Sequence, residues 1–347
     1  MRSAHSRRQN VCGIVLPQGQ TRWIEDVVSY LQITLDPIYD EIIIVSSPTQ
    51  GMDNFVIDGF FPSLDDLHQI KGKSKLIFVP TEYGRVSKNR FYLNCFSCRQ
   101  FVIWAIVQGL NKYVGSREKW LLRRFKNSIL AKLFEKVFGY ELLRIVDYVE
   151  RSDWFGKWHG LFDGILSYTP GLVEPYSERS GKPGFAIESF LRKVDVEKMS
   201  KRFPPHMYFS GRITSHRSKI LKKLTDMELG DESSKLEEMS FVYVDKDSEI
   251  PEGYDLELYI PQHNWWPYSS PLRTYRSLRK GLLPVNLRRF DNTRIDKTIP
   301  TISQLKLIKS PEEWRNWLYN FNSNVDEANT VSMTELGRFK KFLFENS

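Results

Sequence analysis

The sequence predicts an α/β protein of two domains, each a parallel sheet with helices on its faces. Three observations carry that prediction. At 347 residues the chain is too long for one ordinary core and suits two units of roughly 150–200 residues. Residues 1–90 alternate short β-branched runs with helical patterns, as βαβ units with right-handed crossovers do. The same rhythm restarts near Pro205, after a stretch rich in glycine, proline and serine.

In the first domain, Val11–Leu16 is a short apolar strand followed by the polar turn Pro17-Gln18-Gly19-Gln20. Thr21 is placed to cap a helix whose apolar face carries Ile24, Val27, Val28 and Leu31. Glu41–Ser46 is a continuous β-branched run of the kind buried on both faces of a sheet. Leu64–Ile70 reads as a short helix and Lys75–Val79 as the next strand. From about Arg90 to Val149 the pattern turns helical, first apolar and aromatic over Phe91–Leu110. Trp120, Leu121, Phe125, Ile129, Leu133 and Val137 then recur at helical spacing among Arg123, Arg124, Lys126, Lys132 and Lys136. Such a basic amphipathic helix either lies on an anionic membrane surface or faces the core with a charged outer side, the second being slightly favoured. Gly164–Tyr168 returns to strand character, and Ser177–Gly184 (SERSGKPG) is the strongest linker-like stretch.

The second domain runs strand Met207–Ser210, helix Arg217–Met227, strands Phe241–Val244 and Leu256–Ile260, helix Leu272–Lys280 and strand Leu283–Leu287. Ser310-Pro311-Glu312-Glu313 and Ser332-Met333-Thr334-Glu335 read as two capping boxes opening separate helices. The expected organisation is therefore residues 1–190, with a helical insertion at about 90–150, then 204–310, then C-terminal helices over 311–347 that pack back on the fold.

Composition limits the function. A hydrophobic fraction of 41%, with 9 Trp, 16 Tyr and 22 Phe, excludes bulk disorder. Cys12, Cys95 and Cys98 are too few for a disulfide framework, and a reducing compartment is expected. Cys95-Phe-Ser-Cys98 lacks a second pair or a nearby His and reads as buried core thiols. No export signal is evident, and the longest apolar run, Phe101–Val107, falls well short of the roughly 18–20 residues of a spanning helix. The expected location is cytoplasmic; the membrane-surface alternative for the basic helix would add peripheral contact at the inner membrane face. The net charge of +8 favours an anionic partner. Nucleic acid is not expected, because the chain lacks a concentrated Lys/Arg block and any nucleic-acid-binding signature.

Chemistry concentrates in two segments. Met207–Thr225 (MYFSGRITSHRSKILKKLT) gives strand, Ser-Gly turn and basic helix, with Arg212, Thr214 and Ser215 at the helix start. Tyr259–Val285 (YIPQHNWWPYSSPLRTYRSLRKGLLPV) gives strand, polar-aromatic loop, and a helix opened by Ser270-Pro271 with Ser269, Ser270 and Arg273 in its first turn. Two such turns at one sheet edge favour a diphosphate. Asp245-Lys246-Asp247 follows an apolar strand, but DxD is a weak pattern and no metal is assigned to it.

Ser269–Val285 resembles the donor-binding region of glycosyltransferases with two Rossmann-like domains (the GT-B fold), where a helix over the nucleotide sugar runs into a strand through a G-x-x-P-V stretch. Met207–Leu221 is similar to the first strand, loop and helix of that fold's C-terminal domain. The resemblance implies two Rossmann-like domains whose parallel sheets face a central cleft. It implies diphosphate contacts from Gly211, Arg212, Thr214, Ser269, Ser270 and Arg273, with His263, Asn264, Trp265 and Trp266 beside the base or sugar. It also implies no metal and no cofactor beyond the nucleotide-sugar substrate. Glu is absent from Pro261–Leu287, so the Glu-x7-Glu pattern of common retaining families is missing and an inverting transfer is expected.

An inverting transfer needs a base for the acceptor hydroxyl. Glu82, after the Lys75–Val79 strand, is the leading candidate and Asp58 the reserve, with Gln18, Gly19 and Gln20 lining the same edge on the acceptor side. The expected reaction moves a sugar to a glycan or lipid-linked acceptor. Alternatives are transfer of another activated group, such as pyruvyl, to a glycan, or non-catalytic binding of nucleic acid or membrane.

Overall fold

The computed structural model describes residues 10–16, 24–59, 62–81, 84–87, 90–93, 151, 154–188, 190–210, 213, 215–229, 241–244, 253–261, 270–290 and 294–345. The chain divides into two compact units, Met1–Ala186 with Leu343–Ser347, and Ile187–Phe342. The predicted helical insertion over about 90–150 is corrected at its start, where Arg90–Leu93 forms a strand; its remainder, 94–150, with the basic segment and the CxxC pair, lies outside the described residues.

The first unit is built on a six-stranded sheet of β1 (Val11–Val15), β2 (Glu41–Val45), β3 (Asp53–Ile57), β4 (Leu76–Val79), β7 (Gly164–Ser167) and β8 (Gly184–Ala186). Its order is β2-β1-β3-β4-β7-β8, and every pairing is parallel. A separate antiparallel pair joins β5 (Gly84–Ser87) and β6 (Arg90–Leu93). Helix α1 (Glu25–Leu35) buries Val27, Val28 and Leu31 as the periodicity requires, but Ile24 rather than Thr21 stands at its N-cap, without a side-chain cap bond. Helix α2 (Leu64–Ile70) is capped by Ser63. Phe78 of β4 anchors an aromatic core, its ring centroid 5.0 Å from those of Phe155 and Phe162 and 5.4 Å from Tyr176.

Three expectations are corrected here. Glu41–Val45 is the outer strand of the sheet, with Ile44 51% exposed, so it is not buried on both faces. Strand β3 was not expected, because its polar start hides it: Asp53 accepts from the Tyr39 hydroxyl and Asn54 ties the turn at Thr49 and Met52. The SERSGKPG stretch is not a linker. Ser177–Ser180 closes helix α3 (Pro170–Ser180), which Thr169 caps and Gly181 ends in the left-handed region at φ +66. Gly184 then opens β8 so close to that helix that a Cβ would stand 2.4 Å from Val173 Cγ1.

The second unit holds β9 (Met207–Ser210), β10 (Phe241–Val244), β11 (Leu256–Tyr259) and β12 (Leu283–Asn286) in the order β10-β9-β11-β12, again all parallel. Around them run α4 (Val196–Met199), α5 (Ser215–Leu229), α6 (Pro271–Arg279), α7 (Arg294–Thr298) and α8 (Ile302–Leu305). The C-terminal part is one 35-residue helix, α9 (Pro311–Glu345), not two. Ser310 caps it through the Glu313 N–H. Ser332 lies inside it, because Trp314, Leu318, Phe321, Val325, Ala328, Ser332, Leu336 and Phe339 form one uninterrupted buried stripe at helical spacing. Ser332 donates to the Glu188 carbonyl instead. Asn329 exchanges two bonds with the Leu191 backbone (2.7 and 2.9 Å) and Asn322 two with Val194 (3.0 and 2.9 Å), clamping residues 191–194 to α9. Among the described residues no helix is long and apolar enough to cross a membrane.

Two substitutions test this packing by calorimetric melting. Gly184→Val should destabilise the first unit by about 1–3 kcal/mol through overpacking against Val173. Asn329→Ala should cost about 1–3 kcal/mol by leaving the Leu191 N–H and carbonyl without their partner. An unchanged melting midpoint in either variant contradicts the corresponding contact.

Candidate functional site

The two sheets share a topology that fixes where ligands can enter. In each, the first strand connects outward to one side and the third strand lies on its other side, so neighbouring loops part at the carboxyl ends and open a crevice. In the second unit the crevice falls between β9 and β11. The segments leaving those strands are the two singled out in the sequence.

Two arginines reach this point from opposite faces of the sheet. On one face, Arg217 near the start of α5 lies over the Phe209 ring, 5.4 Å from its centroid, and its Nε donates to the Ile260 carbonyl at 2.9 Å. On the other, Arg273 of α6 lies 5.8 Å from the Tyr259 centroid and donates through a guanidinium nitrogen to the Ser210 carbonyl at 2.9 Å. Ser210 and Tyr259 are the last residues of β9 and β11. Burial, then the charge of Arg273, pushes Arg217 down to about 10, which leaves it protonated at neutral pH. His216 is also lowered, first by burial and then by Arg288, Arg217 and Lys219. Several guanidiniums thus crowd this strand edge, with the buried carboxylate of Asp296 also acting on Tyr259 there.

Beneath this edge sits a carboxylate that sequence reasoning missed. Glu257 of β11 is 2% exposed. Its Oε1 accepts from Ser210 Oγ at 2.7 Å and from Arg276 at 2.9 Å, and its Oε2 accepts from Ser277 Oγ at 2.5 Å. One buried group thus joins β9, β11 and α6. Leu256-Glu257-Leu258-Tyr259 shows the signal that could have found it, a lone carboxylate within an otherwise apolar strand.

Of the predicted donor residues, Arg273 and Ser270 are described. Ser270 is the N-cap of α6 with Pro271 next, but its side chain makes no cap hydrogen bond. Gly211, Arg212, Thr214, His263 and Ser269 lie outside the described residues, as do Trp265, Trp266 and Asp245-Lys246-Asp247. Gln18, Gly19, Gln20 and Glu82 of the first unit lie outside them too.

The corresponding edge of the first unit is organised around Asp58, directly after β3. It is 3% exposed and forms an ion pair with the equally buried Arg151, Oδ1 to Nε 3.6 Å. Its Oδ2 lies 3.5 Å from Thr81 Oγ1, and the Thr81 carbonyl lies 3.4 Å from the Tyr168 hydroxyl. Gly59, at φ +88, is needed here because a Cβ would stand 2.4 Å from an Arg151 nitrogen. Arg151 was not anticipated from the sequence. At the opposite end of β1, burial and then Asp53 push the Cys12 thiol up to about 12, as befits a core thiol.

Glu257 makes the site's stability dependent on pH. Burial works to raise its pKa, but Arg276, Arg273 and the Ser277 and Ser210 hydroxyls outweigh it and hold the carboxyl below its ordinary value. A depressed carboxyl stabilises the fold above its unfolded value of about 4.3, and the contribution fades as pH falls through the folded value. We expect Glu257→Gln to lose about 1–3 kcal/mol at neutral pH and to flatten the acid limb of the stability profile. Arg276→Met should lose more, about 3–5 kcal/mol, because it strands the buried carboxylate. Denaturant titrations across pH check both; equal losses contradict the assigned burial.

No protein-family model and no curated protein matches the chain. Among solved structures it is similar to a chain of the Glycosylation Associate Protein (Gap123) complex from Streptococcus agalactiae, at 13% identity and TM-score 0.34 over 84% of this chain. The alignment spans about half of that chain (54%). It is also similar to the glycotransferase of kitacinnamycin, at 11% identity and TM-score 0.33 over 96% of both chains. TM-scores of this size do not mark a shared fold.

Proposed function

We propose that the protein is a glycosyltransferase that moves a sugar from a nucleotide-sugar donor to a glycan or lipid-linked acceptor. The observation that carries this reading is Arg273, half-buried at the ends of β9 and β11 with its guanidinium on the Ser210 carbonyl, while Arg217 is buried on the opposite face of the same switch point. The resemblance of Ser269–Val285 to donor-binding segments supports it, as do two parallel sheets of like order.

In this reading the diphosphate lies over the carboxyl ends of β9 and β11. Arg273 faces it, with Arg212, Thr214, Ser269, Ser270 and the backbone at Gly211 completing the cradle and His263 beside the base or sugar. As the glycosidic bond to the diphosphate breaks, negative charge grows on the leaving oxygen, and fixed cations offset it without a metal. The acceptor hydroxyl attacks the anomeric carbon while a carboxylate takes its proton. Glu82 serves as that base. Asp58 is enclosed by Arg151 and Thr81 and acts by holding the loop that leads into Glu82. Gln18, Gly19 and Gln20 line the acceptor side. The enzyme works in the cytoplasm, and the basic amphipathic sequence over 117–136 brings it to acceptors at the inner membrane face.

Calorimetric titration with a panel of nucleotide sugars tests the reading. At least one should bind with a dissociation constant below the millimolar range. Arg273→Ala should weaken binding at least about tenfold, the equivalent of one lost charge-assisted hydrogen bond, with the circular dichroism spectrum retained. No binding across the panel, or equal binding by the variant, contradicts the assignment.

A further inference from the structure

We propose that Glu257 is a positioning residue for anion recognition in the second unit, acting through Arg273 and not on the ligand; this rests on the nucleotide-sugar reading above. The carboxylate is 2% exposed, so no ligand reaches it. Its partners, however, are the groups that determine where Arg273 stands. Arg273 donates to the carbonyl of Ser210, and the hydroxyl of that same serine donates to Glu257. Ser277, one helical turn beyond Arg273 on α6, donates to the other carboxylate oxygen, and its own oxygen lies 2.9 Å from the Arg273 carbonyl. Both the acceptor that orients the guanidinium and the helix that bears it are therefore fixed to one buried group.

Charge makes the arrangement selective. Glu257 engages Arg276 at 2.9 Å, so Arg276 is occupied internally. Arg273, on the same helix, is half-buried at the strand edge over Tyr259 and donates to the Ser210 carbonyl, and in the nucleotide-sugar reading it is the guanidinium that a diphosphate meets. A neutral amide keeps one acceptor oxygen and replaces the other with a donor NH2, so a donor faces either Ser277 or the Ser210–Arg276 pair, which share the other oxygen in the native network. The charge that draws α6 onto β9 and β11 is lost, and Arg273 loses its fixed approach to Ser210. Preorganised cations are worth more to an anion than mobile ones, because no reorganisation accompanies binding.

The test compares the full-length wild type, Glu257→Gln and Ser277→Ala, with inorganic pyrophosphate as the probe. Two quantities are read well below the melting temperature: the dissociation constant by calorimetry, and the Arg273 Nε–Hε resonance in the free protein, assigned with Arg273→Lys. Glu257→Gln should weaken pyrophosphate binding about tenfold, on the scale of one charge-assisted hydrogen bond, and Ser277→Ala by a smaller factor. The Arg273 resonance should move in both variants before any ligand is added. A Glu257→Gln protein that melts lower yet binds as wild type, with the Arg273 resonance unmoved, makes the residue purely structural and overturns the proposal. Should wild type itself not bind pyrophosphate, the nucleotide-sugar reading fails. Glu257 is then judged on the resonance alone, and an unmoved signal overturns its role.

Discussion

Burying a carboxylate inside a parallel sheet costs several kcal/mol unless cations and hydroxyls replace the water it loses. Glu257 meets that condition with one guanidinium and two serines, and those three partners lie on two different elements. Hydrophobic contact alone would let α6 slide or rotate on the sheet, since apolar packing is not directional. The carboxylate supplies direction: it admits one register in which Arg276 and Ser277 point inward. That register in turn sends Arg273 to the end of β11, over Tyr259. The position of the arginine-bearing edge follows from this buried group.

The first unit solves a related problem with similar chemistry. Asp58 stands where β3 ends, as Ser210 and Tyr259 stand where their strands end, and a buried arginine closes over it. Each sheet thus joins an acidic group to an arginine near its carboxyl edge, and each places a crevice beside the first strand. The difference lies in what remains at the surface. In the second unit Arg273 is half-buried at the edge, whereas Arg217 there and Arg151 in the first unit are both enclosed.

Much of the strand and helix order was legible because alternation and helical spacing act locally. Met207–Ser210, Phe241–Val244 and Leu64–Ile70 fall where the pattern puts them. What escaped was structure decided by distant partners. Asp53 and Asn54 read as a loop until Tyr39 and the 49–52 turn are seen to use them. Ser332-x-x-Glu335 matches a capping box, yet a continuous apolar stripe carries the helix straight through it. SERSGKPG contains every residue type of a linker, and its glycines instead serve a helix end and a close helix–strand contact. Glu257 reads as a solvent-facing residue of an alternating strand, because the sequence alone does not tell that α6 covers that face. At the candidate site Arg273 was visible through its helix start. Arg217, Arg151 and Arg276 were not, since a basic residue on a helix usually faces water.

The clamp of α9 on residues 188 and 191–194 has a consequence for how the chain reaches its folded state. Glu188 and Ser332 are 144 residues apart, Leu191 and Asn329 are 138 apart, and Val194 and Asn322 are 128 apart. On a ribosome the segment emerges long before its partner exists. The second sheet has time to assemble, but the segment waits with its amides in water until α9 is released. Closing so long a loop carries an entropic cost that only a cooperative, multi-point contact recovers. Docking of α9 thus follows assembly of the second sheet, and the helix acts as the latch that completes the second unit.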